Sequence, residues 1–278
     1  MITGTRFQLT REINRQMQLA SEIGRAQLEI SAGGKRILAP SDDPIGAARV
    51  AAIGRSQADN TTWKSNLNVA AALSSNAEGI LDAMVGAFDR VNELMLGASN
   101  GTLSAENRLA AALEIESIAA EIATMRETLD SRGSPLFPLA ADAISLPVGT
   151  NLEIAAGPTR ESVFGTGATS LTSVLADAVT ALRANDPAAI AASLAVTNQA
   201  SSRAIAAHAE QGARGSRIDA LADRLENNEL DLKVERSGIE DANISELLAT
   251  IAAKKLSLDA AQAVFARVNQ STLFDLLR

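Results

Sequence analysis

The turn Gly33-Gly34-Lys35 is a segment whose residue types could bind a ligand, because glycines followed by lysine can form a phosphate-binding loop. A loop of the Walker type needs glycine at position 29 and serine or threonine after the lysine, and this chain has Glu29 and Arg36 there. The sequence also predicts no strand before the turn. We therefore predict a helix stop and a basic turn, with no cofactor-binding residue.

His208 is the single histidine of the chain, and there is no cysteine. A zinc peptidase needs His-Glu-x-x-His and a serine hydrolase needs a convergent Ser-His-Asp set; the sequence indicates neither. His208 falls instead on a predicted helical stripe that runs from Ile190 through Gln211 to Leu225 and is polar or small in its middle, which favours a structural or partner-facing role. We predict no catalytic residue and no metal site, and a protein that is not an enzyme.

Two acidic groups are candidates for cation binding. One follows a predicted helix and is typical of a solvated helix face; its members are Glu226, Glu229, Asp231 and Glu235. The other is the pair Asp42-Asp43, and two carboxylates make a poor calcium cage. Asp43 followed by Pro44 instead predicts an N-cap and the first residue of a helix.

Composition narrows the class of protein. The 278 residues are rich in alanine, only 3% are aromatic and none is cysteine. This favours long, closely packed helices and excludes a disulfide framework. The net charge of −8 argues against binding to nucleic acid or to an anionic membrane surface. The longest nearly apolar run, 188–196, is too short to cross a bilayer, so we also expect no membrane insertion.

Apolar residues at steps of three and four predict a helix near each end of the chain. Over 8–32 they are Leu9, Ile13, Met17, Ala20 and Ile23. Over 244–269 they are Ile244, Leu247, Ile251, Leu258, Phe265 and Val268. Isolated helices are marginal in water, and each stripe is thin, so we expect the two helices to pair with each other.

The helices between them carry a repeat of 3.5 residues. From position 44 to about 98 its members are Ala70, Leu73, Ala77, Ile80, Met84, Ala87, Val91, Leu94 and Ala98. This period predicts a left-handed coiled coil. Helices over 104–130, 170–184 and 188–233 continue the bundle, and the short connection before position 104 predicts antiparallel packing.

Residues 131–169 change in character, with four of the seven prolines of the chain. Short pieces at 143–148, 151–156 and 161–164 are predicted as strands, in an insertion exposed at the end of the bundle. The predicted fold is therefore mainly α: a long antiparallel coiled-coil helical bundle with paired terminal helices and a small β-rich central insertion. The predicted boundaries are 1–42 and 239–278 for a terminal domain, 43–130 and 170–238 for a helical domain, and 131–169 for the insertion.

Several short motifs identify a family that this chain resembles. They comprise Pro40-Ser41-Asp42-Asp43-Pro44 with Arg49, Arg90 with Glu93-Leu94, Asn100-Gly101, and Arg214 with Arg217. Together they resemble the flagellin superfamily over about 8–130 and 170–278. Flagellins tend to have alanines where this chain has Pro40 and Pro44. Within the superfamily the chain therefore resembles more closely the proteins that join flagellar hook and filament.

The resemblance implies a structural subunit of the bacterial flagellum that joins hook to filament, outside the cell and exported without a cleaved signal peptide. It implies four partners: the first hook–filament junction protein, flagellin, further copies of the chain in a ring, and an export chaperone before secretion. It also implies that the apolar stripes of the two terminal helices form the assembly interface.

Three other functions stay open from the residues alone. Flagellin itself shares the predicted architecture and would extend into long filaments rather than stop after about one ring. A helical coiled-coil scaffold or an export chaperone would form stable, soluble oligomers with protected termini. A hydrolase would need a convergent polar site, which the sequence does not indicate.

Overall fold

The computed structural model describes residues 2–143, 145–155 and 157–275, and for 2–6, 8, 9 and 268–275 it describes the backbone only. The helices are α1 (Ile2–Ser31), α2 (Pro44–Ala98), α3 (Ala105–Arg126), α4 (Arg160–Phe164), α5 (Leu171–Ala184), α6 (Pro187–Glu240) and α7 (Ile244–Asp275). The strands β1 (Ser145–Gly149) and β2 (Leu152–Ala155) lie between α3 and α4. The mainly α fold with a small β insertion is therefore confirmed.

Helix boundaries follow the capping residues. Asp43 accepts a hydrogen bond from the Gly46 amide at 2.9 Å, so α2 begins at Pro44 as predicted. Ser104 caps α3 because its hydroxyl accepts the Asn107 amide at 3.3 Å. The prediction that this helix reaches residue 130 was wrong, because a turn around Asp130 replaces its last residues: the Asp130 carboxylate accepts the Ser134 amide at 2.8 Å.

The predicted strand at 161–164 was also wrong, because these residues form the short helix α4. The Thr159 hydroxyl accepts the Ser162 amide at 3.3 Å and so provides an N-cap, a local signal that strand propensity does not contain. The other two strands are real and form an antiparallel hairpin with Leu146 opposite Ile154. Asn151 adopts a φ of 60° in the connecting turn.

The described chain divides into two compact units. The first contains Met1–Gln57 and Glu229–Arg278, and the second contains Ala58–Asn228. No helix among the described residues is long and apolar enough to cross a membrane.

The second unit has its core along α2. The predicted row that begins at Ala70 and recurs every seven residues is buried throughout. The second row lies one position later than predicted, at Ser74, Leu81, Phe88 and Met95. The predicted row, Leu73, Ile80, Ala87 and Leu94, is only partly buried against the same core. Both choices keep the 3.5-residue period, so only the packing of the neighbouring helices distinguishes them.

Helix α6 contributes a row of buried residues to the same core. Its buried members at seven-residue spacing are Ile190, Thr197, Ala204, Gln211, Ile218 and Leu225. The polar member Gln211 is accommodated because its Nε2 donates to the Ser74 hydroxyl at 2.6 Å and to the Ser74 carbonyl at 3.2 Å. The predicted stripe on this helix is confirmed, and the helix continues beyond residue 233 to Glu240.

The insertion is not simply exposed at one end of the bundle, contrary to expectation. Phe137 and Phe164 are buried in the helical core and stack edge to face, with ring centroids 5.2 Å apart. From the hairpin, Val148 and Ile154 are buried with Leu67 of α2. The apolar residues of the insertion therefore complete the core of the second unit.

Candidate assembly surface

The end of α1 turns the chain toward α7. Gly33 and Gly34 both adopt a φ of 80°, and their amides donate to the carbonyls of Ile30 at 3.1 Å and Glu29 at 2.9 Å. This pair of bonds is a Schellman motif, which confirms the predicted helix stop. Gly34 is also packed closely, because a Cβ there would lie 3.2 Å from the Ile244 side chain.

The segment after α1 pairs with the short connection between α6 and α7. The Arg36 amide donates to the Glu240 carbonyl at 2.7 Å, and the Ala242 amide donates to the Gly34 carbonyl at 2.6 Å. Lys35 and Asp241 form an antiparallel bridge between these bonds. The backbone itself therefore brings the end of α1 beside the beginning of α7.

Helices α1 and α7 then pack against each other, as predicted. Ile244 lies beside Gly34, and Lys254 forms an ion pair with Glu22 at 2.7 Å, so the two helices run antiparallel. The predicted α7 residues Leu247, Ile251, Leu258 and Phe265 are half-buried, and Ile244 is more exposed. The side chains of Leu9 and Val268 lie outside the described residues.

The inner face of α1 differs from the predicted stripe. Its less exposed apolar residues are Leu19, Ile23, Ala26 and Ile30, of which only Ile23 was predicted. The remaining predicted residues, Ile13, Met17 and Ala20, are exposed. The inner residues are spaced 4-3-4, which is a heptad pattern. The predicted stripe follows a different set of three- and four-residue steps and shares only Ile23 with it.

Each terminal helix consequently has a second, outward apolar face, and we call these two faces together the outer apolar faces. On α1 they comprise Phe7, Met17 and Leu28; on α7 they comprise Leu248, Leu256 and Val264. Met17 is 58% exposed and Leu256 is 72% exposed. At 3.6 residues per turn, Met17 lies nearly opposite the inner row of α1, and Leu256 lies nearly opposite Leu258 and Phe265.

The loop before α2 is ordered by its two aspartates. The Asp42 carboxylate accepts the amides of Leu38 at 3.1 Å and Ala39 at 2.9 Å, while Asp43 caps the helix. Pro40 and Ser41 are exposed. The aspartates act as turn and cap residues. In the described part of the chain no group of three or more His, Cys, Asp or Glu residues could hold a metal ion.

Charged side chains reinforce the first unit around this loop. Arg49 donates two hydrogen bonds to the Glu235 carboxylate, at 2.5 and 2.9 Å. These bonds lower the pKa of Glu235 and raise the pKa of Arg49. Hydrogen bonds from Arg236, with a contribution from Lys35, likewise lower the pKa of Glu240.

The remaining signature residues lie in the second unit. Arg90 joins α2 to α3 through Glu114 and also binds Glu93, each at 2.6 Å. The hydrogen bond to Glu114 is the largest cause of the raised pKa of Arg90, and the same bond lowers the pKa of Glu114. Arg214 contacts Glu210 at 3.2 Å. Leu94 is partly buried against the core, whereas Arg217 is exposed.

Arg108 is a structurally important residue that sequence reasoning did not identify. It is only 5% exposed, and its guanidinium donates to the carbonyls of Ala98 and Asn100, both at 3.0 Å, and to the Asn185 side-chain oxygen at 2.5 Å. These bonds connect the α2–α3 turn, which contains Asn100 and Gly101, to the α5–α6 turn. An arginine between apolar positions of a helix was the available signal.

A cavity of ≈ 410 Å³ lies in the second unit, mainly within the insertion. Its lining is largely apolar and includes Leu73 and Leu136, with polar groups from Asp130, Arg132 and Arg160. The Asp130 carboxylate has a lowered pKa, chiefly because it accepts the Ser134 amide, so it is poorly suited to act as a base. His208 is half-buried on α6 and does not line this cavity.

Comparisons with known proteins agree with this geometry. Residues 8–139 match the family of the bacterial flagellin N-terminal helical region. Over 104 residues the chain is 32% identical to flagellar hook-associated protein 3 of Escherichia coli strain K12, an alignment that covers 37% of this chain and 33% of that protein. The chain thus spans about a third of the length of this curated relative. The predicted resemblance to the flagellin superfamily is therefore confirmed for residues 8–139.

Solved structures show a similar fold. FlgL of Xanthomonas campestris aligns with a TM-score of 0.58 at 18% identity, over 66% of this chain and 99% of that one. The flagellar junction protein FlgL of Legionella pneumophila aligns with a TM-score of 0.57 at 14% identity, over 70% of this chain and 100% of that one. At these identities the likeness concerns the fold alone.

Proposed function

From the match of residues 8–139 to the bacterial flagellin N-terminal helical region, we propose that this chain is a structural subunit of the bacterial flagellum that joins the hook to the filament. The hook-associated relative supports this function over that of flagellin, as do Pro40 and Pro44. The subunit acts outside the cell, is exported without a cleaved signal peptide, and works by assembly rather than by catalysis.

The observation that carries the proposal is the pair of outer apolar faces. The inner residues of α1 and α7 pack against each other, yet large apolar side chains such as Met17 and Leu256 remain exposed to water. Burial of one such side chain contributes roughly 1.5–3 kcal/mol. We take these exposed apolar side chains as the surface that neighbouring subunits cover.

The partners follow from this arrangement. The terminal helix pair packs among equivalent pairs of neighbouring copies in a ring, and the ring contacts the first hook–filament junction protein on one side and flagellin on the other. Before secretion, an export chaperone covers the same apolar surface. The apolar stripes of the terminal helices then have two roles. Five residues stabilise the helix pair itself: Ile23, Leu247, Ile251, Leu258 and Phe265. Ile13, Met17 and Ala20 face the neighbouring copies.

Leu256→Asp tests the outer faces. Because Leu256 is exposed in the monomer, the substitution should leave its helicity and melting nearly unchanged. In an assembled ring the charge would be desolvated without a partner, which costs several kcal/mol. In cells that lack the native gene, this variant should therefore leave hooks without filaments and release unpolymerised flagellin into the medium.

Leu109→Asp is the matched control, since Leu109 is an exposed leucine on α3 outside the terminal helices. It should support normal motility. Phe265→Asp, on the inner face of α7, should instead loosen the α1–α7 pair already in the monomer. Normal motility with a stable Leu256→Asp protein would refute the assembly mechanism, and growth of the purified chain into long filaments would identify it as flagellin.

A further inference from the structure

The turn Asn100-Gly101 joins α2 to α3 and is the only Asn-Gly pair in the sequence. Asparagine followed by glycine is the pair most prone to spontaneous cyclisation, because glycine has no side chain to hinder the approach of its own amide nitrogen. Asn100 and Gly101 are both exposed, and a Cβ at Gly101 would meet no atom within 4 Å. Water can therefore reach the turn, and no neighbouring atom crowds Gly101.

The surrounding hydrogen bonds favour the reaction in the folded chain. The Asn100 side-chain oxygen accepts two hydrogen bonds from Thr102, from its amide at 3.2 Å and from its hydroxyl at 3.0 Å. Negative charge develops on this oxygen when the side-chain carbonyl is attacked, so the two donors stabilise it as an oxyanion hole does. Within the part of the chain that the structure describes, the Gly101 amide has no hydrogen-bond acceptor.

We propose that Asn100 is a site of spontaneous modification, at which the folded turn converts asparagine into aspartate and isoaspartate. The Gly101 nitrogen attacks Asn100 Cγ and forms a C–N bond, the Cγ–Nδ2 bond breaks, and ammonia leaves with the proton from the Gly101 amide. Water then opens the resulting succinimide at either carbonyl. The net change is the consumption of one water and the release of one ammonia, and no enzyme or oxidant takes part.

The modification has a structural consequence through Arg108. The Asn100 carbonyl is one of the three acceptors of this buried guanidinium. Opening of the ring to isoaspartate routes the main chain through the former side chain, which inserts one more methylene carbon and leaves the former Asn100 carbonyl as a free carboxylate. The bond from Arg108 then no longer goes to a main-chain carbonyl of the α2–α3 turn, so the modification changes the contact that fixes this turn.

The experiment incubates the purified full-length chain in mildly alkaline buffer and measures isoaspartate at each asparagine by enzymatic methylation and peptide mass spectrometry. Isoaspartate should accumulate at Asn100 first, and faster in the folded chain than in the same chain held unfolded in urea. Asn76, exposed on α2 and followed by alanine, is the internal control. Slower conversion of Asn100 in the folded chain would overturn the proposal.

Two variants separate the roles of the neighbours. Gly101→Ala has room for its methyl group, so it should keep the fold and nearly abolish conversion. Thr102→Val removes the hydroxyl donor and should slow conversion in the folded chain about fivefold, the factor that an ordinary hydrogen bond supplies. It should not change the rate in urea. Equal rates for Thr102→Val and the native chain when folded would show that the turn supplies no oxyanion stabilisation.

Discussion

Replacement of Arg108 by alanine should be among the most damaging single substitutions in the second unit. The guanidinium is buried and bonds three acceptors, the carbonyls of Ala98 and Asn100 and the side chain of Asn185. Ala98 is the last residue of α2 and Asn100 follows it closely, so the guanidinium lies at the helix C-terminus, where the helix dipole favours a positive charge. In Arg108→Ala all three acceptors lose their donor and a cavity forms.

The magnitude follows from those three bonds. A hydrogen bond to a charged group contributes about 1.5–3 kcal/mol, but bonds made by one side chain are not additive. We therefore expect a loss of about 3–5 kcal/mol in the free energy of unfolding, similar to the removal of one partner from a buried charged pair. Since about 1 kcal/mol shifts the melting temperature of a chain of this size by roughly 2–4 °C, Arg108→Ala should melt about 10 °C lower.

Trp63 provides the assay. It is the single tryptophan of the chain and is partly buried in the second unit, so its fluorescence follows the unfolding of that unit. Arg183→Ala is the control: its ion pair with Glu116 is 2.6 Å long but about half exposed, and should contribute at most about 1 kcal/mol. Arg108→Lys should lose most of the stability that Arg108→Ala loses, because one ammonium cannot reach all three acceptors.

The reasoning would be refuted if Arg108→Ala and Arg183→Ala unfolded with the same free energy. That result would mean that the α2–α3 and α5–α6 turns hold their positions without the buried guanidinium. Recovery of stability in Arg108→Met would have a different meaning, because an apolar side chain of similar length fills the cavity. It would show that filling the space contributes more than the three hydrogen bonds.

Two further predictions concern the first unit. Gly34→Ala should destabilise it by about 1–2 kcal/mol, because its φ of 80° strains an alanine and the new methyl group would press on Ile244; Gly33→Ala, with the same φ but open space, should cost less. Equal melting of the two variants by circular dichroism would exclude the contact with Ile244. The lowered pKa values of Glu235 and Glu240 mean that their contribution to stability is present above the ordinary glutamate pKa of about 4.3 and is lost as the pH falls through the lowered values. Acid titration of the melting temperature should therefore be flatter in Glu235→Gln than in the native chain, and identical slopes would contradict this assignment.

Local signals in the sequence determined much of the helical framework. Asp43 with Pro44 predicts the beginning of α2, and Gly33-Gly34 predicts the end of α1, because caps and left-handed glycines act within a few residues. The 3.5-residue period likewise predicts one buried row on each of α2 and α6, since side-chain periodicity is a property of one helix. These features need no knowledge of distant residues.

The tertiary structure decided which of several compatible faces is used. Leu73 and Ser74 fit the same period, and the packing of α3, α5 and α6 selects the row of Ser74. On α1 the contact with α7 turns Ile23 inward and leaves Met17 exposed, although both belong to one predicted stripe. Arg108 finds its third acceptor in Asn185, 77 residues away in sequence. Such choices depend on the shape and hydrogen-bonding groups of the partner surface, which no local pattern contains.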